Sequence, residues 1–267
     1  MIHRLIIILL FFSSITTLAQ DDDYYAPDAG TKKTVREVDD INRWGPKLGI
    51  EIHAAINYNH LVVPLALIES FQNAFGGVGF DGGGGIRIRA YHKLSFSIGA
   101  NYATRSFHLE YQAEDINSGN TLQVTEKATM KYFGFYFKGN IALSKKFHIA
   151  QTFQYCWLRD YTGTAIAEDL STGVIYGPQE TSEPILDGWW AAGQAELGFE
   201  FAYMIHFAPE LIIKPYGALT FGVTPALHTK IYSQGFFGEK EQNLSYLNIR
   251  LGVIIETGII LDQFKER

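Results

Sequence analysis

Cysteine is almost missing from this 267-residue chain, where Cys156 stands alone. That excludes an intrachain disulfide, a multi-cysteine zinc site and a lipid-attachment cysteine at a processing site. Basic charge is not in excess either, with 22 Lys+Arg against 28 Asp+Glu. No basic stripe is present to neutralise phosphates, so nucleic acid is not an expected partner. No apolar run approaches the ~20 residues that cross a bilayer as a helix. Paired histidines at metal-ligand spacing, such as His-Glu-x-x-His, are absent, and neither a metal nor a cofactor is expected.

The N-terminus reads as an export signal. Arg4 supplies the positive end, Leu5 to Phe12 are continuously apolar, and Thr17 and Ala19 are the small residues of a cleavage site after Ala19. Residues 1–19 are therefore assigned as signal peptide. Residues 20–46, opening on Asp21-Asp22-Asp23, hold no sustained period and are assigned as a polar periplasmic extension. Residues 47–261 hold the strand segments and the connections between them, and 262–267 form a short tail.

The pattern is clearest in residues 188–223. Trp189, Ala195, Leu197, Phe199, Phe201 and Tyr203 share one parity and Gln194, Glu196 and Glu200 the other. After Phe207-Ala208-Pro209-Glu210, the residues Leu211, Ile213, Leu219 and Phe221 alternate with Lys214, Tyr216 and Thr220. A period of two on both sides of a short turn predicts an antiparallel hairpin. Six further segments repeat it, and connections alternate long and short along the chain. Short turns fall at His92-Lys93 and Ser144-Lys145-Lys146. In the segment after Leu94 the apolar parity slips near Thr104, because Phe107, Leu109 and Tyr111 take over, which a bulge or a membrane edge would explain. The expected fold is all-β: an eight-stranded antiparallel up-and-down transmembrane β-barrel.

Charge decides which face turns inward. The polar parity carries Glu51, Arg87, Arg89, Arg105, Lys138, Asp160, Glu196, Glu200, Lys214, Arg250 and Glu256, nearly balanced in sign. Balance is needed in a closed lumen, where each unpaired charge costs several kcal/mol, and not on a water-facing surface. The apolar parity is almost free of charge, as a lipid-facing surface must be. Tyr58, Tyr102, Trp157, Trp189 and Trp190 at the loop ends, and Tyr91, Phe147, Tyr203 and Phe207 at the turn ends, are expected to form two interfacial girdles.

Residues 77–82 match G-x-G-x-x-G, but a dinucleotide site needs a helix after the glycines and a strand follows here. His53, His148 and His206 share the lumen parity and could be set beside Ser95, Ser97 or Glu196, yet buried histidines are more often neutral hydrogen-bonding partners. Residues 64–75 have helical spacing at Leu67, Ile68, Phe71 and Phe75, predicting a short loop helix.

The Ala19-Gln20 junction, the eight-strand meander and the strands Lys93-Leu94-Ser95-Phe96-Ser97-Ile98-Gly99-Ala100 and Lys131-Tyr132-Phe133-Gly134-Phe135-Tyr136-Phe137-Lys138-Gly139-Asn140 resemble PorT-like outer-membrane β-barrel proteins. The resemblance implies residence in the Gram-negative outer membrane and an association with protein secretion, and it transfers no functional residue. The chain departs from the usual aromatic C-terminus by running on to Phe264 and Arg267. The reading is a non-catalytic, monomeric barrel with a plugged polar lumen. Its expected partners are outer-membrane lipid and an envelope or extracellular protein. A lipid-modifying enzyme and a narrow pore or small-ligand carrier are the alternatives.

Overall fold

The computed structural model describes residues 47–62, 71–91, 93–115, 118–181, 193–208, 211–224, 227–230 and 241–258. The segments expected to be a signal peptide, a polar extension and a C-terminal tail, together with Trp189 and Trp190, lie outside the described residues. In chain order the strands are β1 (Leu48–Val62), β2 (Phe71–Arg89), β3 (Leu94–Glu114), β4 (Thr121–Ala142), β5 (Phe147–Asp169), β6 (Ile175–Thr181), β7 (Gly193–Tyr203), β8 (Ile205–Ala208), β9 (Leu211–Gly222), β10 (Leu227–Lys230) and β11 (Glu241–Gly258).

These strands close into an antiparallel up-and-down ring of about eight. Neighbours pair in order from β1 to β5, then β5 with β7, β7 with β9, β9 with β11, and β11 back with β1. β8 prolongs β7 beyond Met204 and keeps pairing with β9. β6 and β10 are short returns hydrogen-bonded to the far ends of β5 and β11. Closure satisfies the ring's backbone groups without leaving an edge.

The period of two becomes an inside and an outside. In β1, Glu51, His53, Asn57 and Asn59 are buried, and Ile50, Ile52, Ile56 and Tyr58 between them are exposed. β3 keeps one parity along its length: Ser95, Ser97, Asn101, Ala103, Arg105, Phe107 and Leu109 are all buried. No slip occurs at Thr104. What changes there is the interior, which turns from polar to an apolar plug including Leu61, Phe107, Leu109, Val124, Met130, Cys156, Tyr161 and Tyr246.

A true change of parity occurs in β5, where Tyr132 pairs with Leu158 but Lys131 pairs with Asp160. Arg159 is the extra residue of a bulge, and it moves the inward set from even to odd numbers.

Several expected loops are strands. Phe71 to Phe75 belong to β2, paired with β3 from Tyr111 to His108, so this half of the predicted helix is extended chain; residues 63–70 lie outside the described set. The helical spacing is overridden because the far end of β3 offers a whole edge for pairing. Similarly, β3 and β4 stay paired until Glu114 meets Thr121, and β5 turns back through 170–174 into β6. The wall β3–β5 is 21, 22 and 23 residues tall, against 11 and 12 for β7 and β9. At ~3.3 Å per residue and ~40° tilt, 22 residues rise about 55 Å, more than twice the ~25 Å apolar band of a membrane barrel.

Candidate functional site

Polar chemistry is concentrated in the barrel interior, in three tiers. Nearest the short turns, Glu256 accepts from both Arg87 and Lys214. The Arg87 Nε also donates to Ser95 Oγ at 2.8 Å. Beside them Glu51 accepts from Ser97 Oγ at 2.9 Å and from the Tyr136 hydroxyl at 2.8 Å, with Lys138 Nζ 3.6 Å away. Lys138 reaches across to Glu200 at 3.1 Å.

The middle tier centres on Asp81, fully buried between His53 Nε2 at 3.2 Å and Arg250 at 3.4 Å. Arg250 also donates to Thr220 Oγ1. In the upper tier the Arg105 guanidinium lies 4.6 Å from the ring centres of both Tyr132 and Tyr246. It donates to Glu196 and, at 2.7 Å, to Gln194 Oε1, while Gln154 donates to the other Glu196 oxygen. Every ring strand supplies part of this lattice, so the lattice fixes register as well as charge.

Glycine makes room for the large polar groups. Gly85 and Gly99 pair across β2 and β3, and the Tyr136 ring lies against both. A Cβ at either position would stand 2.6 Å from the Tyr136 hydroxyl.

Of the residues expected in the lumen, Glu51, Arg87, Arg105, Lys138, Glu196, Glu200, Lys214, Arg250 and Glu256 are buried within these tiers. Arg89 stands half-buried at the turn end. Asp160 is the correction: the Arg159 bulge turns it outward, where it meets Lys131 at 2.6 Å on the exposed face. Lys131 holds the Asp160 carboxyl below its ordinary range by direct hydrogen bonding and by charge.

Sequence reasoning misses Asp81 and Glu126. Asp81 is inward by simple counting from Arg87, but Gly83 and Gly85 lie between and show no side chain to read. Glu126 is 2 % exposed and accepts from the Tyr161 hydroxyl within the apolar plug.

The interior is packed. A void of about 20 Å³ remains among His53, Tyr136, Lys138, Gln154, Glu200 and Arg250, room for a single water. The candidate residues find other partners: His53 is engaged by Asp81, Ser95 by Arg87, and Ser97 by Glu51. His148 is buried near the short turns and His206 lies in β8 at the same end. The G-x-G-x-x-G residues lie wholly inside β2.

No family model matches the chain, and no curated protein matches its sequence. Among solved structures it is similar to Ail, the attachment invasion locus protein of Yersinia pestis, at 8 % identity over 79 % of this chain and 99 % of that one, with a TM-score of 0.33. Neisserial surface protein A is similar at 8 % identity, covering 79 % and 97 %, with a TM-score of 0.35. The outer membrane protein OprG from Pseudomonas aeruginosa is similar at 7 % identity, covering 80 % and 98 %, with a TM-score of 0.34. Likenesses this distant carry no inference about what the chain binds.

Proposed function

We propose that this chain is a non-catalytic β-barrel of a Gram-negative outer membrane, closed inside and acting through its long hairpins on an envelope or extracellular partner. One observation carries the reading: the barrel is inverted relative to a water-soluble one. Ile52, Ile56, Val78, Ile98, Phe201 and Leu251 are each 57–68 % exposed on the outside, while Arg105, Glu196 and Glu256 are fully buried within. A belt of this kind far exceeds the few hundred Å² of apolar patch that a soluble monomer shows, and hydrocarbon is the solvent that suits it.

A lipid-modifying enzyme needs a reactive group facing lipid, and the candidate histidines and serines face inward or lie at the turn end. A pore or carrier needs an open lumen, and among the described residues the three charged tiers and the apolar plug occupy the interior. The PorT-like resemblance supports a part in protein secretion. With the lumen filled, that part is contact with a secretion partner at the hairpins and not passage of cargo.

The test is fractionation of native envelopes with heat-modifiable gel mobility. The expected result is recovery in the outer-membrane fraction, with a boiling-dependent mobility shift. Recovery in the soluble fraction without detergent overturns the reading.

A further inference from the structure

Positive charge gathers in the turns at one end of the barrel. Two of its short turns, Arg89-Ala90-Tyr91-His92-Lys93 and Leu143-Ser144-Lys145-Lys146, contain no acidic residue. The fold holds them side by side, because Lys93 carbonyl accepts from the Ala142 N–H at 2.7 Å. Lys146 carbonyl in turn accepts from the Met204 N–H at 2.6 Å, fixing the second turn against the β7–β8 junction. Lys145 and Lys146 are exposed and Lys93 is half-buried. Within two residues of these lysines along the chain stand large apolar residues open to the outside: Tyr91 at 70 %, Leu143 at 61 % and Phe147 at 55 % exposure. The third short turn carries Glu210 in its sequence and adds nothing to the patch.

We infer that Lys93, Lys145 and Lys146 form a binding site for the phosphate headgroup of an anionic phospholipid in the leaflet at the turn end. This rests on the membrane reading above. A lipid is the occupant that satisfies both halves of the surface. Its phosphodiester answers the lysines, and its acyl chains cover Tyr91, Leu143 and Phe147 at the edge of the apolar belt. Free phosphate answers only the first half. At the opposite end the exposed charges are mixed in sign, with Glu168 and Glu180 of the β5–β6 hairpin on the same wall as Lys127, Lys131 and Arg159.

The test uses the full barrel in nanodiscs of phosphatidylcholine alone and of phosphatidylcholine mixed with phosphatidylglycerol, read by native mass spectrometry after detergent release. Wild type is expected to retain phosphatidylglycerol in preference to phosphatidylcholine. The preference should weaken about fivefold for each lysine replaced in the series Lys93→Gln, Lys145→Gln, Lys146→Gln, and fall as salt is raised. The matching Lys→Arg triple variant should keep it, with heat-modifiable mobility confirming the fold of both. Equal retention by wild type and the Gln triple variant overturns the site while leaving the membrane barrel intact. Displacement of the lipid by inorganic phosphate, with none by chloride at the same ionic strength, overturns the lipid assignment. A barrel that does not enter the bilayer at all loses the membrane reading and this site together.

Discussion

Arg105 shows how much a single side chain organises here. It is fully buried, stacked between two tyrosine rings and hydrogen-bonded to Glu196 and Gln194. Arg105→Ala strands the Glu196 carboxylate, so unfolding in urea should show a loss of about 3–5 kcal/mol. Combining Arg105→Met with Glu196→Leu should recover much of that loss, since an apolar pair of similar volume needs no compensation. Gly85→Ala makes a second case: its Cβ would collide with the Ile98 carbonyl oxygen as well as with Tyr136. Destabilisation of about 1–3 kcal/mol is expected from such overpacking. Gly84→Ala, whose Cβ meets the Glu51 carbonyl oxygen at 3.1 Å and nothing else closer than 3.8 Å, should be markedly milder in the same urea titration. Alternation alone makes Arg105 and Glu196 legible in the sequence as inward residues. Their partnership is not legible there, because they are 91 positions apart and pairing across a barrel depends on shear.

At the scale of elements, strand parity can be read wherever side chains mark it, and it fails where they do not or where the chain is irregular. The glycines of β2 hide Asp81, and counting through β5 without the Arg159 bulge puts Asp160 on the wrong face. The β5–β6 hairpin reads as a plain loop in sequence, since its exposed residues show no alternation. Asp169 holds its turn: the carboxylate accepts from Asn120 Nδ2 at 2.8 Å and from the Ser171 and Thr172 N–H groups at 2.8 and 3.2 Å. Burial alone would raise its pKa, but these hydrogen bonds outweigh that and leave it below the ordinary value. With the folded pKa depressed, the stabilisation is complete above the unfolded value of about 3.9 and is lost as pH falls through the folded one. Amide hydrogen exchange at Ser171 and Thr172, corrected for intrinsic pH dependence, should therefore show protection at neutral pH that disappears on strong acidification. In Asp169→Asn the protection should be lower and flat with pH. Persistent protection of the wild-type turn in acid would show that backbone pairing alone maintains it.

For the whole molecule, the uneven height of the wall makes a statement about sidedness. Strands β3–β5 extend well beyond the row in which Tyr102 pairs with Phe133 and Phe133 with Trp157, and past that row the outward residues of β4 become Lys131, Thr129, Lys127 and Thr125. A surface of that composition belongs in water, so the 170–174 turn should project from the cell while the 143–146 turn stays behind the membrane. Placing a protease recognition sequence between Gly173 and Val174 tests this directly, because Gly173 has positive φ and open space around it. On intact cells, added protease should cut there and leave the barrel's heat-modifiable core. The same sequence placed between Lys145 and Lys146 should resist until the outer membrane is permeabilised. The reverse pattern would put the lysine-rich turns outside and invert the barrel, whereas cleavage at both sites in intact cells would mean that no bilayer separates them. Because both insertions lie in turns between strands already paired along their length, neither cuts into the charged tiers, and the two outcomes report orientation and not unfolding.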